Sequence, residues 1–96
     1  MPENLFKINA KEYILPGSRA CQGCGLSLAY RFALKALREN TIVTLPASCL
    51  CVLHGLYPNT PVNIPCLNCT FASTAASASG IVAGLNALNR TDTTVV

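Results

Sequence analysis

Charge is scarce in this chain. Aspartate, glutamate, lysine and arginine together make up only 11% of its residues, against roughly a quarter in ordinary globular domains, so little polar material is on hand to cover a surface. A chain of this kind is expected to be a piece of a larger body. Its seven basic residues are scattered and the net charge is +3, which leaves no basic patch for nucleic acid, and that partner class is set aside. Acidic residues are scarcer still. Glu3, Glu12, Glu39 and Asp92 lie far apart, which excludes a paired-carboxylate acid–base site within these residues. His54 is the only histidine. It stands in a loop-like segment with no carboxylate near it in sequence to orient its ring, so it carries little signal.

Other absences narrow the class further. The longest weakly polar stretch, Phe71 to Leu88, is interrupted by Ser73, Thr74, Ser77, Ser79 and Asn86, so no membrane span is expected. Met1 to Lys7 is polar and has no signal-peptide core, which places the chain by default in a reducing cytoplasm. There is no internal repeat and no low-complexity tract.

What the chain does have is apolar residues, 51% of the total, and six cysteines in 96 residues. That length holds one domain at most. Disulfide scaffolds of this size are poor in aliphatic residues and carry a secretory signal, so these thiols are expected to be free, reactive or metal-bound.

Residues 1–20 show no period, and Pro16-Gly17-Ser18 reads as a turn that delivers an arm to the first cysteine pair. From Leu26 the apolar residues Tyr30, Ala33, Leu34 and Leu37 recur at helical spacing, with Arg31, Lys35 and Arg38 on another face. This predicts a helix from about Gly25 to Glu39, capped by Asn40, which tolerates the left-handed conformation. The β-branched run Thr41-Ile42-Val43-Thr44-Leu45 predicts a buried strand, stopped by Pro46. Beyond it, Leu50 to Leu56 reads as a helical turn, Tyr57 to Pro61 as loop and Val62-Asn63-Ile64 as a short strand. Ser73 to Asn89 reads as a second helix whose small residues Ala75, Ala76, Ser79, Gly80, Ala83 and Gly84 permit close approach of another backbone or a cofactor. Hydroxyls from Ser73 to Ser79 are expected to cap it. After a turn at Arg90-Thr91-Asp92, Thr93 to Val96 begins an apolar strand with no neighbour expected within the chain. An ending of this kind suggests the amino-terminal portion of a larger α/β layer.

The chemistry concentrates in Arg19-Ala20-Cys21-Gln22-Gly23-Cys24-Gly25 and in Ser48-Cys49. Thiolates two residues apart can reach one metal centre, and the glycines let the backbone wrap it and aim N–H groups at sulfur. Cys21 and Cys24 are read as two ligands of a 4Fe-4S cluster. Cys49, at the carboxyl end of the predicted strand where α/β sheets bind ligands, is read as a third. A thioredoxin-like redox pair is one rival, although such pairs follow a strand. Zinc is another, because Cys66-Leu67-Asn68-Cys69 supplies a second CxxC. Cys66 and Cys69 lie among apolar residues, as does Cys51, and all three are read first as core packing.

The order of these motifs resembles the thiamine-binding β subunit of 2-oxoacid:ferredoxin oxidoreductases, of which pyruvate:ferredoxin oxidoreductase is the best-known member. The resemblance runs from Pro16 to Gly25, through Arg31 and Leu34-Lys35-Ala36-Leu37, Pro46 to Cys49 and Asn63-Ile64-Pro65, to Phe71–Leu88 with its Ala76-Ser77-Ala78-Ser79-Gly80 centre. It implies an α/β fold, the amino-terminal portion of a three-layer thiamine diphosphate-binding domain (26–96), preceded by a cysteine-containing arm (1–25). It also implies a 4Fe-4S cluster held in part by Cys21, Cys24 and Cys49, close to thiamine diphosphate and its Mg²⁺. That cluster receives electrons when a 2-oxoacid is oxidatively decarboxylated and passes them to ferredoxin, with other oxidoreductase subunits as partners. Members acting on oxalate belong to the same superfamily, and no residue here fixes the substrate.

Three departures accompany the resemblance. The family's Gly-Asp-Gly segment, which holds Mg²⁺ and the diphosphate, is expected just past Val96, and the fourth cluster cysteine far downstream. Cys66 falls where relatives often carry an aromatic residue, and Leu26 where some carry Glu. The chain alone is therefore expected to be inactive. The competing class is a non-catalytic thiol module that binds zinc or packs against a partner.

Overall fold

A computed structural model describes residues 8–55 and 59–96. The fold is α/β. Helix α1 (Gly25–Leu37) leads into strand β1 (Thr41–Leu45), then the short helix α2 (Cys49–His54), strand β2 (Cys66–Asn68), a 3-10 turn at Phe71–Ser73, helix α3 (Thr74–Ala87) and strand β3 (Thr94–Val95). The sheet order is β2-β1-β3, and both pairings are parallel. Among the described residues no helix is long and apolar enough to cross a membrane.

Strand β1 forms where its β-branched sequence predicts, and three of its residues, Val43, Thr44 and Leu45, are buried in succession. A central strand covered on both faces has no reason to alternate apolar with polar. Val43 and Leu45 pack with Leu34 of α1 and with Tyr13, Val62 and Ile64. The segment before the first cysteine thus supplies a core residue, since Tyr13 is 1% exposed. Its hydroxyl donates to Glu39 at 2.9 Å and accepts from the Asn9 amide at 3.1 Å, so burial of the ring leaves no polar atom stranded. Nearby, Glu12 receives both Arg31 and Lys35 from α1.

Several expectations are corrected. Helix α1 ends at Leu37, and the left-handed residue is Arg38 at φ 68, whose N–H closes on the Leu34 carbonyl at 2.8 Å; Asn40 is not the cap. Val62-Asn63-Ile64 is not a strand. Val62 makes a single antiparallel bridge to Ile14, and the strand follows Pro65 instead. Proline lacks an N–H but keeps its carbonyl, and that carbonyl accepts from Val43 at 3.0 Å to start the β1–β2 ladder. The terminal strand does have a partner. Thr94 and Val95 pair with Thr41 and Ile42, and Thr44 N–H donates to the Val96 carbonyl at 2.7 Å. At the start of α3, Ser73 makes no side-chain cap; its hydroxyl and that of Thr74 bond back to the Thr70 carbonyl. The predicted helical turn is α2, ending at His54; Leu56, Tyr57 and Pro58 lie outside the described residues.

Helix α3 has the small-residue composition noted in the sequence, and none of its residues is buried. Phe71 and Leu88 at its two ends are 72% and 71% exposed. Sequence economy in charge and this bare apolar surface agree with each other, since protein surfaces of this kind are normally covered by more protein.

Candidate iron–sulfur site

Cys21 and Cys24 close a tight turn in which Cys24 N–H donates to the Cys21 carbonyl at 3.1 Å. Gly23 occupies its third position at φ 70, the left-handed geometry that a side chain disfavours there. Cys24 is then the N-cap of α1, so its sulfur stands beside the unpaired N–H groups of the first helical turn. The N–H of Ser27, followed by that of Leu26, holds the Cys24 thiol below its ordinary pKa, and burial only partly opposes this. A thiolate, the form that binds metal, is favoured at that position.

Cys49 arrives from the other direction. Pro46 ends β1, Ser48 caps α2 by accepting the Leu50 N–H at 3.3 Å, and Cys49 is the first residue of that helix. Cys21, Cys24 and Cys49 line one cavity of about 140 Å³, together with Arg19, Ala20, Val52 and Leu53. A larger cleft of about 420 Å³ adjoins it, sharing Cys21 and Cys24 and reaching Arg31. The site lies outside the carboxyl end of β1, the central strand from which the chain departs in both directions. That is the usual ligand position in open parallel sheets.

All six cysteines are free. Among the described residues no three potential ligands converge tightly enough for a single metal ion. That finding disfavours a compact tetrahedral zinc site, and it is compatible with a cluster, whose cysteines bind separate irons at different corners. The donor set fits a 4Fe-4S cluster on three counts: three free thiols share a small cavity, its other walls are largely apolar, and helix N–H groups favour a thiolate at Cys24. The set does not fit Mg²⁺, because Glu12 and Glu39 are engaged in ion pairs away from the cavity.

The remaining cysteines depart from the core-packing expectation. Cys66 lies on a strand whose residues are all exposed, while Cys69 and Cys51 are half-buried. The Cys66 residue is open to solvent, yet its thiol turns inward to the Ile64 carbonyl at 3.1 Å, and burial pushes its pKa up. The Cys69 N–H donates to the Leu45 carbonyl at 2.8 Å. Neither lines the three-cysteine cavity.

Two features escaped the sequence reading. His54 is the last residue of α2, not part of a loop, and is 3% exposed. Its Nε2 lies 2.9 Å from the Tyr30 hydroxyl of α1, and its Nδ1 has no partner among the described residues. Burial pushes His54 toward its neutral form, and burial, followed by the proximity of Cys66, pushes the Tyr30 phenol well above its ordinary value. The second feature is Arg19, whose guanidinium lies over Gly55. No periodicity links residues 24 or more positions apart, so neither pairing had a signal in the sequence.

The geometry defines an α/β segment with a cysteine-lined cavity at the carboxyl end of its central strand, and the comparisons show which proteins that segment is similar to. The chain is 41% identical over 91 residues to pyruvate synthase subunit PorB of Methanothermobacter thermautotrophicus, a match covering 95% of this chain and 32% of the relative. It is 43% identical over 91 residues to ketoisovalerate oxidoreductase subunit VorB of Pyrococcus horikoshii, covering 92% of this chain and 29% of the relative. With PorB of Methanocaldococcus jannaschii it shares 41% over 80 residues, covering 83% and 27%. No protein-family model matches the chain. The chain is thus a homologue of 2-oxoacid:ferredoxin oxidoreductase β subunits, and it spans about a third of the length of the curated relatives it matches.

Proposed function

We propose that this chain is the cluster-binding segment of a 2-oxoacid:ferredoxin oxidoreductase β subunit, with Cys21, Cys24 and Cys49 as three ligands of a 4Fe-4S cluster. The observation that carries the reading is the shared cavity. One cysteine precedes the N-terminus of α1, one caps it and one opens α2, yet all three line a single space of about 140 Å³. The names of the relatives, pyruvate synthase and ketoisovalerate oxidoreductase, support redox chemistry on a 2-oxoacid such as pyruvate or ketoisovalerate.

In this reading the 2-oxoacid loses carbon dioxide and two electrons, its acyl group passes to coenzyme A or a similar acceptor, and the electrons leave one at a time toward ferredoxin. When bound, the cluster supplies one-electron storage between substrate and acceptor. The chain's own residues do the holding. The turn at Gly23 sets the spacing of Cys21 and Cys24, the N-terminus of α1 stabilises the Cys24 thiolate, and the buried Leu53 closes one wall. A fourth ligand, thiamine diphosphate and Mg²⁺ require residues outside this chain. Other oxidoreductase subunits are its partners in the cytoplasm, and these 96 residues alone are inactive.

The test is anaerobic iron and acid-labile sulfide analysis with an absorption spectrum, on this chain alone and after joining it to the remainder of a β subunit. About four irons and four sulfides in the joined sample are expected. Zinc, or no metal in either sample, would refute the reading.

A further inference from the structure

Arg19 sits on the wall of the three-cysteine cavity. Its guanidinium ends over Gly55, the residue that caps α2. A β-carbon built on Gly55 would collide with Nη1 and Cζ of Arg19. Gly55 itself lies at φ 61 and ψ −161, a region that residues with a side chain enter only under strain. The backbone therefore favours glycine there, and a methyl group in its place would push the guanidinium aside.

We propose, on the basis of the cluster reading, that Arg19 seated in the Gly55 niche is the cation that sets the reduction potential of the cluster held by Cys21, Cys24 and Cys49. The other candidates around the cavity are eliminated by their surroundings. Arg31 reaches the adjoining cleft, but Glu12 pairs with it, its Nε lying 2.9 Å from the carboxylate. His54 is buried, 3% exposed, and faces a phenol, not a carboxylate that would hold it charged. Arg19 takes part in none of the ion pairs among the described residues, and its guanidinium carries a positive charge. A positive charge on the wall of a cavity holding a cluster favours the state carrying the additional electron, since net charge is one of the levers that set such potentials. The guanidinium also lies at the C-terminal, negative end of α2, where a cation stabilises a helix. That role would change stability and leave the potential unmoved.

The experiment is an anaerobic redox titration monitored by electron paramagnetic resonance, with iron and sulfide counted on the same samples of the assembled oxidoreductase containing this chain. Wild type is compared with Arg19→Gln, Arg19→Lys, Gly55→Ala and the Arg19→Gln/Gly55→Ala double variant. Arg19→Gln is expected to keep its iron and move to a more negative midpoint, and Arg19→Lys to recover most of the shift. Gly55→Ala is expected to move the midpoint in the same direction as Arg19→Gln, and the double variant no further, because both changes remove one interaction. Loss of the cluster from the glutamine variant but not the lysine variant would also support the charge. An unmoved midpoint in Arg19→Gln with full iron overturns the proposal, and so does loss of the cluster from both arginine variants. Iron absent from the wild type would instead overturn the cluster reading, and this proposal with it.

Discussion

Replacing Tyr30 by phenylalanine removes one oxygen atom, and the structure says what that atom does. The Tyr30 hydroxyl lies 2.9 Å from His54 Nε2, and the other ring nitrogen has no partner among the described residues. Tyr30→Phe therefore leaves a 3%-exposed imidazole without either of its hydrogen bonds. A buried polar atom deprived of its partner costs about 1–3 kcal/mol. With a urea dependence of about 1–3 kcal/mol per molar, that lowers the unfolding midpoint by about 1 M at unchanged slope. His54→Leu alone strands the phenol instead and is expected to cost a similar amount. The double variant replaces both partners by apolar groups, so its loss should fall short of the sum by about 1 kcal/mol or more. The same imidazole gives a pH signature. Its folded-state pKa is depressed below the ordinary 6.5 by burial, so below pH 6.5 the unfolded chain binds a proton that the folded one refuses, and stability falls as pH drops through that value. His54→Leu should flatten this limb. Strict additivity of the two substitutions, or an acid limb unchanged in His54→Leu, would refute the assignment.

Three further outcomes are expected. Cys21→Ser, Cys24→Ser and Cys49→Ser should each abolish cluster incorporation, while Cys69→Ser, which is off the cavity, should matter much less; equal loss from all four in iron analysis would overturn the ligand assignment. Glu12 is held down to about 2 from the ordinary 4.5, first by its hydrogen bond to Arg31 and then by that to Lys35. A depressed carboxyl stabilises the fold above its unfolded pKa, and that contribution is lost as pH falls from about 4.5 through about 2; Glu12→Gln should remove it from an acid titration of stability. Leu45→Ala, at a residue with 0% exposure in the core cluster, should cost about 2–5 kcal/mol in denaturant unfolding.

What the sequence makes legible follows from where its local signals are strong. Thr41 to Leu45 is a β-branched run closed by Pro46, and it forms the strand with those bounds. Cys66-Leu67-Asn68 has neither alternation nor β-branching, and is a strand because β1 offers it an unpaired edge beyond Pro65. The same edge logic explains the terminal strand, whose partner is the opposite side of β1. Tyr13 belongs to no period, yet it fills the core because its hydroxyl finds Glu39, 26 residues away. The cysteines were legible as a site because spacing within CxxC is local information. The burial of His54 was not, because its partner sits 24 residues back on another helix.

The meeting of Cys24 and Cys49 has a geometric cause in element lengths. Helix α1, 13 residues long, carries the chain about 20 Å away from Cys24 at 1.5 Å per residue. Strand β1, five residues long, brings it back by about 17 Å at 3.3 Å per residue. Arg38, at φ 68, breaks the helix so that the reversal takes only three residues. Pro46, Ala47 and Ser48 then cover the few ångströms that remain and set Cys49 on the first turn of α2 beside the start of α1. The cavity is thus the place where an outward helix and a returning strand of matched length close, with Cys24 at the N-terminus of α1 and Cys49 at that of α2.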